Sequence, residues 1–328
     1  MKVADLLETR RQNWQQLEQL CVHMETRRRR EMVAVVMARF AALYRAACAD
    51  LALADAYQLP PGTVHYLHRL VGRAHNQLYR SRRFDLAAWG RLLLEEVPQR
   101  IFNDRCVQLA GCLFWGVFIL SAVLAASPKY WPDYAEQLVS QEVLDHLDES
   151  FSKPITGRAS ANNPIMAGFY IKHNTTIGLQ CFAGGLVIVP GLMVTVFNAA
   201  SLGAMFGYMA RPDVPAGANF FHFVTAHGPF ELTAIVLSAG VGLRLGVGWL
   251  FTDGLTRGAS LKKTSLEAMP VMGAAMIMFF LAALIEAFLS PSAAPYAIKA
   301  IVAVLSSGLL MFYFVILGYP RRQPRAIG

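Results

Sequence analysis

The residues best placed for chemistry form the short segment His227-Gly228-Pro229-Phe230-Glu231. Proline suits the first position of a helix, where its missing N–H costs nothing, so we expect a helix to begin near Pro229 and to run to about Leu250. Glu231 then lies in the first turn, where the helix dipole favours a carboxylate, and His227 is close enough to reach it. The segment lacks the second histidine of an H-E-x-x-H motif, so a catalytic metal is not expected. No cofactor is expected elsewhere in the chain.

Four further polar residues stand within apolar stretches and complete the predicted polar core: His173, Asn174, Asn198 and Arg244. We expect Asn198 to form a hydrogen bond to a neighbouring helix, and Arg244 to pair with a carboxylate or with carbonyl groups at a helix end. Lys299 is expected to extend to a polar interface because its long stem permits this, and Glu286 lies close enough to a helix end to do the same.

Composition divides the chain into two regions with different solvents. The chain is 55% hydrophobic and 16% charged, against about 25% charged residues in soluble proteins. Basic residues outnumber acidic ones in residues 1–106, whereas long apolar runs dominate from Val107 onward. The first region is suited to water and the second largely to lipid.

The first region is predicted to be a basic helical domain, residues 1–104, on the cytoplasmic side. Apolar residues recur at helical spacing in four segments, at about 3–25, 30–51, 64–78 and 85–97, with Pro98 marking the end of the last. The run Arg27-Arg28-Arg29-Arg30 has no interleaved aromatic residues, so nucleic acid is not expected as a partner. These segments indicate a small antiparallel bundle.

The second region is predicted to be a transmembrane domain, residues 105–320, with an extracytoplasmic insert at 128–163 and a basic cytoplasmic tail at 321–328. Apolar runs of spanning length cover 107–127, 268–289 and 297–317. Residues 220–250 are broken at Pro229, and 165–210 are long enough for one or two crossings. Because basic connectors favour the cytoplasm, two crossings and a total of about six spans are expected. Both termini are then cytoplasmic, and the fold class is all-α.

Several short elements together resemble the stage II sporulation protein M family of bacterial membrane proteins, over about Trp14 to Gly246. The most specific of them is His227-Gly228 with Glu231, followed by small residues and a Gly-Leu-x-x-Gly element. The remaining elements are Trp14, Leu43-Tyr44-Arg45, Asp50-Leu51-Ala52, Tyr66-Leu67, Arg73-Ala74-His75 with Tyr79, Asn162-Asn163, Lys172-His173-Asn174-Thr175 and Phe197-Asn198.

The resemblance implies a multi-pass protein of the bacterial inner membrane. The sporulation member of the family is a scaffold that holds cell-wall-degrading enzymes during engulfment. Relatives in bacteria that do not sporulate are associated with MoxR-type ATPases and von Willebrand factor A-like proteins, and the long N-terminal domain here resembles those relatives more closely.

We therefore expect a non-enzymatic scaffold that contacts membrane lipids and docks soluble, membrane or envelope proteins; self-association is left open. The candidate docking face is formed by Tyr44, Arg45, Arg73 and His75, with hydrogen bonding inside the domain as the alternative role. The competing hypothesis is a small-molecule or lipid transporter, or a channel, with a site at broken helices around Pro190 and Pro229. A membrane-embedded hydrolase is least supported, because no local catalytic motif stands out.

Overall fold

A computed structural model describes residues 10–26, 34–78, 86–157 and 162–320. The Arg27–Arg30 run and the predicted basic tail at 321–328 lie outside these ranges. The chain divides into two compact units, Met1–Asp85 and Leu86–Gly328. That division falls earlier than the sequence-based boundary at residue 104. All regular structure in the described ranges is helical.

In its described ranges, 10–26 and 34–78, the first unit has three helices that share one core. Helix α1 spans Arg11–Thr26, α2 spans Ala34–Ala56 and α3 spans Pro61–Leu78. Their apolar residues meet at helical spacing, as predicted. The largest side chains fully buried in this core are Leu17, Phe40 and Leu67.

The fourth predicted helix belongs to the second unit and does not end at Pro98. Helix α4, Leu86–Arg91, continues through a π-helical turn at Leu92–Glu96 into α5, Val97–Asn103. In the π turn the backbone N–H of Val97 bonds to the carbonyl of Leu92. Pro98 then stands in the first turn of α5, where a missing N–H is tolerated.

Among the residues of the second unit that the structure describes, five helices are long and apolar enough to cross a membrane. Two of them end in a π turn. They are α6 (Arg105–Ala126), α10 (Ile188–Met209), α12 (Gly228–Leu250), α13 (Arg257–Leu284) with its π turn to Leu289, and α14 (Tyr296–Met311) with its π turn to Ile316.

The predicted segment 165–210 forms two helices rather than one. Helix α9 spans Asn163–Gly185 and is joined to α10 by a tight turn. At 23 residues α9 is long enough to cross a bilayer. It is absent from the five candidate spans because its polar residues, among them Lys172, His173 and Asn174, lower its hydropathy. The number of candidate spans is therefore five, one fewer than the predicted total.

Helix α12 occupies the centre of the bundle. It contacts α6, α9, α10, α13 and α14, and most of its length is buried by these neighbours. Its first turn carries Pro229, and it ends at Leu250, which confirms the predicted start and end of this helix.

Close glycine contacts show the relative directions of the helices. A Cβ on Gly203 of α10 would lie 2.3 Å from the carbonyl oxygen of Phe118, and one on Gly207 would lie 2.2 Å from that of Ala122. Gly207 follows Gly203 on α10 as Ala122 follows Phe118 on α6, so α6 and α10 run parallel. Gly242 and Gly246 contact α9 in the same way. Both G-x-x-x-G patterns, Gly203/Gly207 and Gly242/Gly246, thus pack helices within one chain.

The connectors on one side of the bundle carry short helices. Helices α7 (Tyr134–Val139) and α8 (Gln141–Phe151) form the described part of the acidic insert, and α11 (Gly217–Val224) precedes the break at His227. The Phe151 and Phe220 rings meet edge to face at 5.4 Å. The side-chain amide of Asn219 donates to the Phe151 carbonyl at 2.8 Å. Helix α11 therefore packs on the insert.

Candidate polar site at the start of the central helix

His227 and Glu231 lie together at the N-terminus of α12. The backbone N–H of Glu231 bonds to the carbonyl of His227 at 3.2 Å, which starts the helix and brings the two side chains to one face. The His227 Nε2 atom is 3.6 Å from a Glu231 carboxylate oxygen. The imidazole is buried, with 5% of its side chain exposed, while 20% of the Glu231 side chain is exposed.

A second carboxylate, Glu286, completes a buried cluster with this pair. Glu286 lies in the π turn that follows α13, and α13 runs antiparallel to α12, so its end lies beside the start of α12. One donor atom from each of His227, Glu231 and Glu286 lies within 4.8 Å of the other two. The side-chain amide of Asn174, from α9, donates to Glu286 at 3.2 Å.

The turn after α13 holds the imidazole and a buried ammonium group. His227 Nδ1 is 2.9 Å from the hydroxyl of Ser290. Lys299, in the first turn of α14, is fully buried and donates to the carbonyls of Ser290 and Ser292 at 2.7 and 3.0 Å. Its Nζ atom also lies 3.0 Å from His222 Nδ1.

Both charged side chains are buried by the protein itself. The carbonyls of the α13–α14 turn take the place of water around the Lys299 ammonium group. Glu286 is directed towards Asn174 of α9 and the start of α12.

Of the six predicted core residues, the structure brings His227, Glu231 and Asn174 together. Asn198 lies on α10, where its amide donates to the Val194 carbonyl at 2.9 Å and lies 3.9 Å from the sulfur of Cys181 on α9. The contact with Cys181 is the interhelical interaction expected for it. His173 is exposed and stacks on Phe169 of its own helix, with ring centroids 5.9 Å apart.

Arg244 forms a separate charged cluster on α12. Its guanidinium lies 3.8 Å from a carboxylate oxygen of Asp104 and 3.6 Å from one of Glu267, which fulfils the expected pairing. Nearby Arg100 donates to the Glu267 carbonyl at 2.6 Å. These residues line a groove of about 530 Å³. The cluster joins the start of α6 to α13.

The four residues of the predicted docking face divide into separate groups. The Tyr44 hydroxyl and His75 Nδ1 are 3.0 Å apart, which joins α2 to α3. Arg73 pairs with Glu18 and Glu25 on α1, at 3.4 and 3.1 Å. The hydrogen bond with Glu25 raises the pKa of Arg73. Arg45 is exposed on α2.

Tyr66 belongs to the same network as Arg73. Its hydroxyl donates to Glu18 at 3.0 Å. Burial, and then the bond to Glu18, raise the pKa of Tyr66 to about 12. Four of these five residues, Tyr44, His75, Arg73 and Tyr66, thus form contacts inside the domain, whereas Arg45 is exposed.

Comparison with protein families gives the chain its relatives. The model of the family described as stage II sporulation protein M matches residues 109–291, more than half of the chain. The chain belongs to this family. The match ends just after Ser290. It therefore includes the His227–Glu231–Glu286 cluster. It also includes the two residues that contact this cluster, Asn174 on α9 and Ser290 after α13.

The N-terminal elements attributed to that family belong to another model. Residues 4–80 match a domain of unknown function, which covers most of the first compact unit. The elements named for the resemblance, from Trp14 onward, therefore come from two different families. No curated protein and no solved structure matched the chain.

Glu286 is the site residue that sequence reasoning missed. It stands 55 positions after Glu231 in a run that reads as an ordinary membrane span, and no local motif connects the two. The signal available in the sequence was the free-energy cost of a carboxylate in an apolar helix, because such a group requires a polar partner. A search for that partner among the polar residues of other spans would have included Asn174.

Proposed function

We propose that this stage II sporulation protein M relative is a non-enzymatic scaffold of the bacterial inner membrane. Its membrane unit anchors the complex, and its N-terminal helical unit holds a soluble partner. The observation that carries the proposal is that the chain has two different compact units. The first has its own apolar core, and the second is a bundle whose helices are in direct backbone contact.

The positions of the two helix breaks favour a scaffold over a transporter. Pro190 stands in the first turn of α10, beside the α9–α10 turn, and Pro229 stands in the first turn of α12. Since α9 and α12 run parallel, the end of α9 and the start of α12 lie at opposite ends of the bundle. The two breaks therefore do not form one midplane site, and Asn198 is not part of the His227 cluster.

The proposed topology has six crossings with both termini in the cytoplasm. It is supported by helix direction, because α6 and α10 run parallel and α9 must return between them. It is also supported by Gly318, after α14, where a Cβ would lie 2.8 Å from the carbonyl oxygen of Pro98. The segment after the last helix thus lies at the same end of the bundle as the segment before α6.

Cysteine labelling in intact cells tests this topology. A membrane-impermeant maleimide is expected to label Glu142→Cys and Asp213→Cys from outside, and Leu255→Cys only after lysis. All three positions are exposed, and the wild-type cysteines give the background. If α9 does not cross, Asp213→Cys and Leu255→Cys exchange their behaviour while Glu142→Cys does not.

Partner capture tests the scaffold itself. The family resemblance suggests a MoxR-type ATPase or a von Willebrand factor A-like protein as the soluble partner. Reversing an exposed charge at an interface repels a complementary partner. We therefore expect Arg45→Glu to lower recovery of such a partner from mild detergent by about tenfold, equivalent to about 1.4 kcal/mol.

Arg39→Glu is the matched control. Arg39 is also exposed on α2 but contacts Gln16 of α1, at 3.0 Å. Equal loss in both variants would indicate a general charge effect. Recovery of no partner after crosslinking of the wild-type protein in cells would contradict the proposed function.

A further inference from the structure

We propose that His227, Glu231 and Glu286 bind one divalent transition-metal ion, of the Zn²⁺ or Mn²⁺ type, within the membrane unit. The proposal is independent of the scaffold function. It departs from the sequence-based expectation of no metal, which considered only ligands at neighbouring positions on one helix. Here the third ligand comes from the end of a different helix.

The donor set has the chemistry of such a site. One imidazole nitrogen and two carboxylate oxygens, all within 4.8 Å of one another, can reach a common ion. Imidazole suits zinc, iron and related ions, and carboxylates suit manganese and zinc. The Asn174 amide donates to Glu286, which orients that carboxylate as the outer partners of metal ligands do.

The imidazole is oriented for coordination. Its Nδ1 atom contacts the Ser290 hydroxyl at 2.9 Å, and Ser290 is fully buried. The opposite nitrogen, Nε2, points at Glu231 from 3.6 Å, beyond the length of a hydrogen bond. A side chain that is 95% buried thus directs a ring nitrogen into the cluster without a hydrogen bond to it. When Nδ1 carries the proton and donates to Ser290, Nε2 presents its lone pair.

A bound cation would also suit the charges of the cluster. Two carboxylates this close repel each other, and the surrounding low dielectric strengthens that repulsion. The buried ammonium of Lys299 bonds to the carbonyls of Ser290 and Ser292 and is 3.0 Å from His222, so it is committed elsewhere. A bound metal ion would balance both carboxylates. The partly exposed Glu231 provides an entry path.

The test measures metal bound to the purified full-length protein, with an affinity tag that contains no histidine. After chelator treatment, the protein is loaded with Zn²⁺ or Mn²⁺ and desalted, and metal is counted per chain. We expect about one ion per chain. Cobalt loading is expected to give visible absorption bands that reflect its ligands. Mg²⁺ and Ca²⁺ serve as comparison ions.

His227→Gln, Glu231→Gln and Glu286→Gln are each expected to weaken binding at least tenfold. His173→Gln removes an exposed histidine from the same unit and should leave binding unchanged. Size-exclusion profiles show whether each variant folds. If the variants do not fold, the cobalt spectrum of the wild-type protein tests the proposal. Wild-type protein that retains no metal and shows no cobalt bands would overturn the proposal. So would equal losses in Glu286→Gln and His173→Gln, or unchanged binding in Glu286→Gln.

Discussion

Replacing Gly242 with leucine is expected to destabilise the membrane unit strongly. A Cβ at this position would lie 2.3 Å from the carbonyl oxygen of Phe182 and 2.9 Å from its Cα atom. Backbone atoms cannot rotate away as a side chain can. Helix α9 also cannot retreat without opening the contact between its Gly185 and α12, which is equally close.

The expected loss is at least ~3 kcal/mol, the upper part of the range for overpacked cores. In a unit of this size, a loss of stability of this magnitude lowers the melting temperature by roughly 10 °C. Thermal unfolding in detergent, followed by loss of the monodisperse size-exclusion peak, measures it. Gly116→Leu is the control, since a Cβ on Gly116 meets no atom within 4 Å. A stable Gly242→Leu protein would show that α9 and α12 are not packed as described.

Substitution of Asp50 by alanine is expected to destabilise the N-terminal unit by ~2–4 kcal/mol. The Asp50 carboxylate is fully buried and accepts hydrogen bonds from Trp14 Nε1, at 2.8 Å, and from Arg10. Its removal leaves the buried indole N–H without an acceptor, which costs about 1–3 kcal/mol, and also removes a charge-assisted bond. The expected result is faster hydrogen exchange along α2.

Asp55→Ala provides the comparison on the same helix. Asp55 is half exposed and pairs with His68 at 3.6 Å, a contact worth at most ~1 kcal/mol. Hydrogen exchange of the full-length protein, resolved by peptide, compares the two variants. Similar exchange of α2 in both would mean that the Trp14–Asp50 bond does not hold the unit together.

Much of the membrane unit could be predicted from sequence because hydrocarbon imposes a length and a composition. The apolar runs at 107–127, 268–289 and 297–317 correspond to α6, α13 and α14. The helix start at Pro229 followed from the chemistry of proline. Each of these features depends on residues that are close in sequence.

The site required information of another kind. Asn174 and Glu286 are 112 positions apart, and their contact depends on how α9, α12 and α13 pack. The continuation of the helix through Pro98 depended on a π turn, which has no clear sequence signature. Asn198 and His173 were grouped with His227 because all are polar residues in apolar stretches, but helix rotation places them on other faces.

In the proposed six-span topology, the buried position of Lys299 has a consequence for how the last helix would enter the bilayer during synthesis. An ammonium group opposes the transfer of α14 into lipid, yet the carbonyls that solvate it, from Ser290 and Ser292, are only nine and seven residues earlier. In the proposed topology, these oxygen atoms would reach the translocon just before the charge. Insertion of α13 and α14 as one hairpin would satisfy Lys299 before the rest of the bundle has assembled.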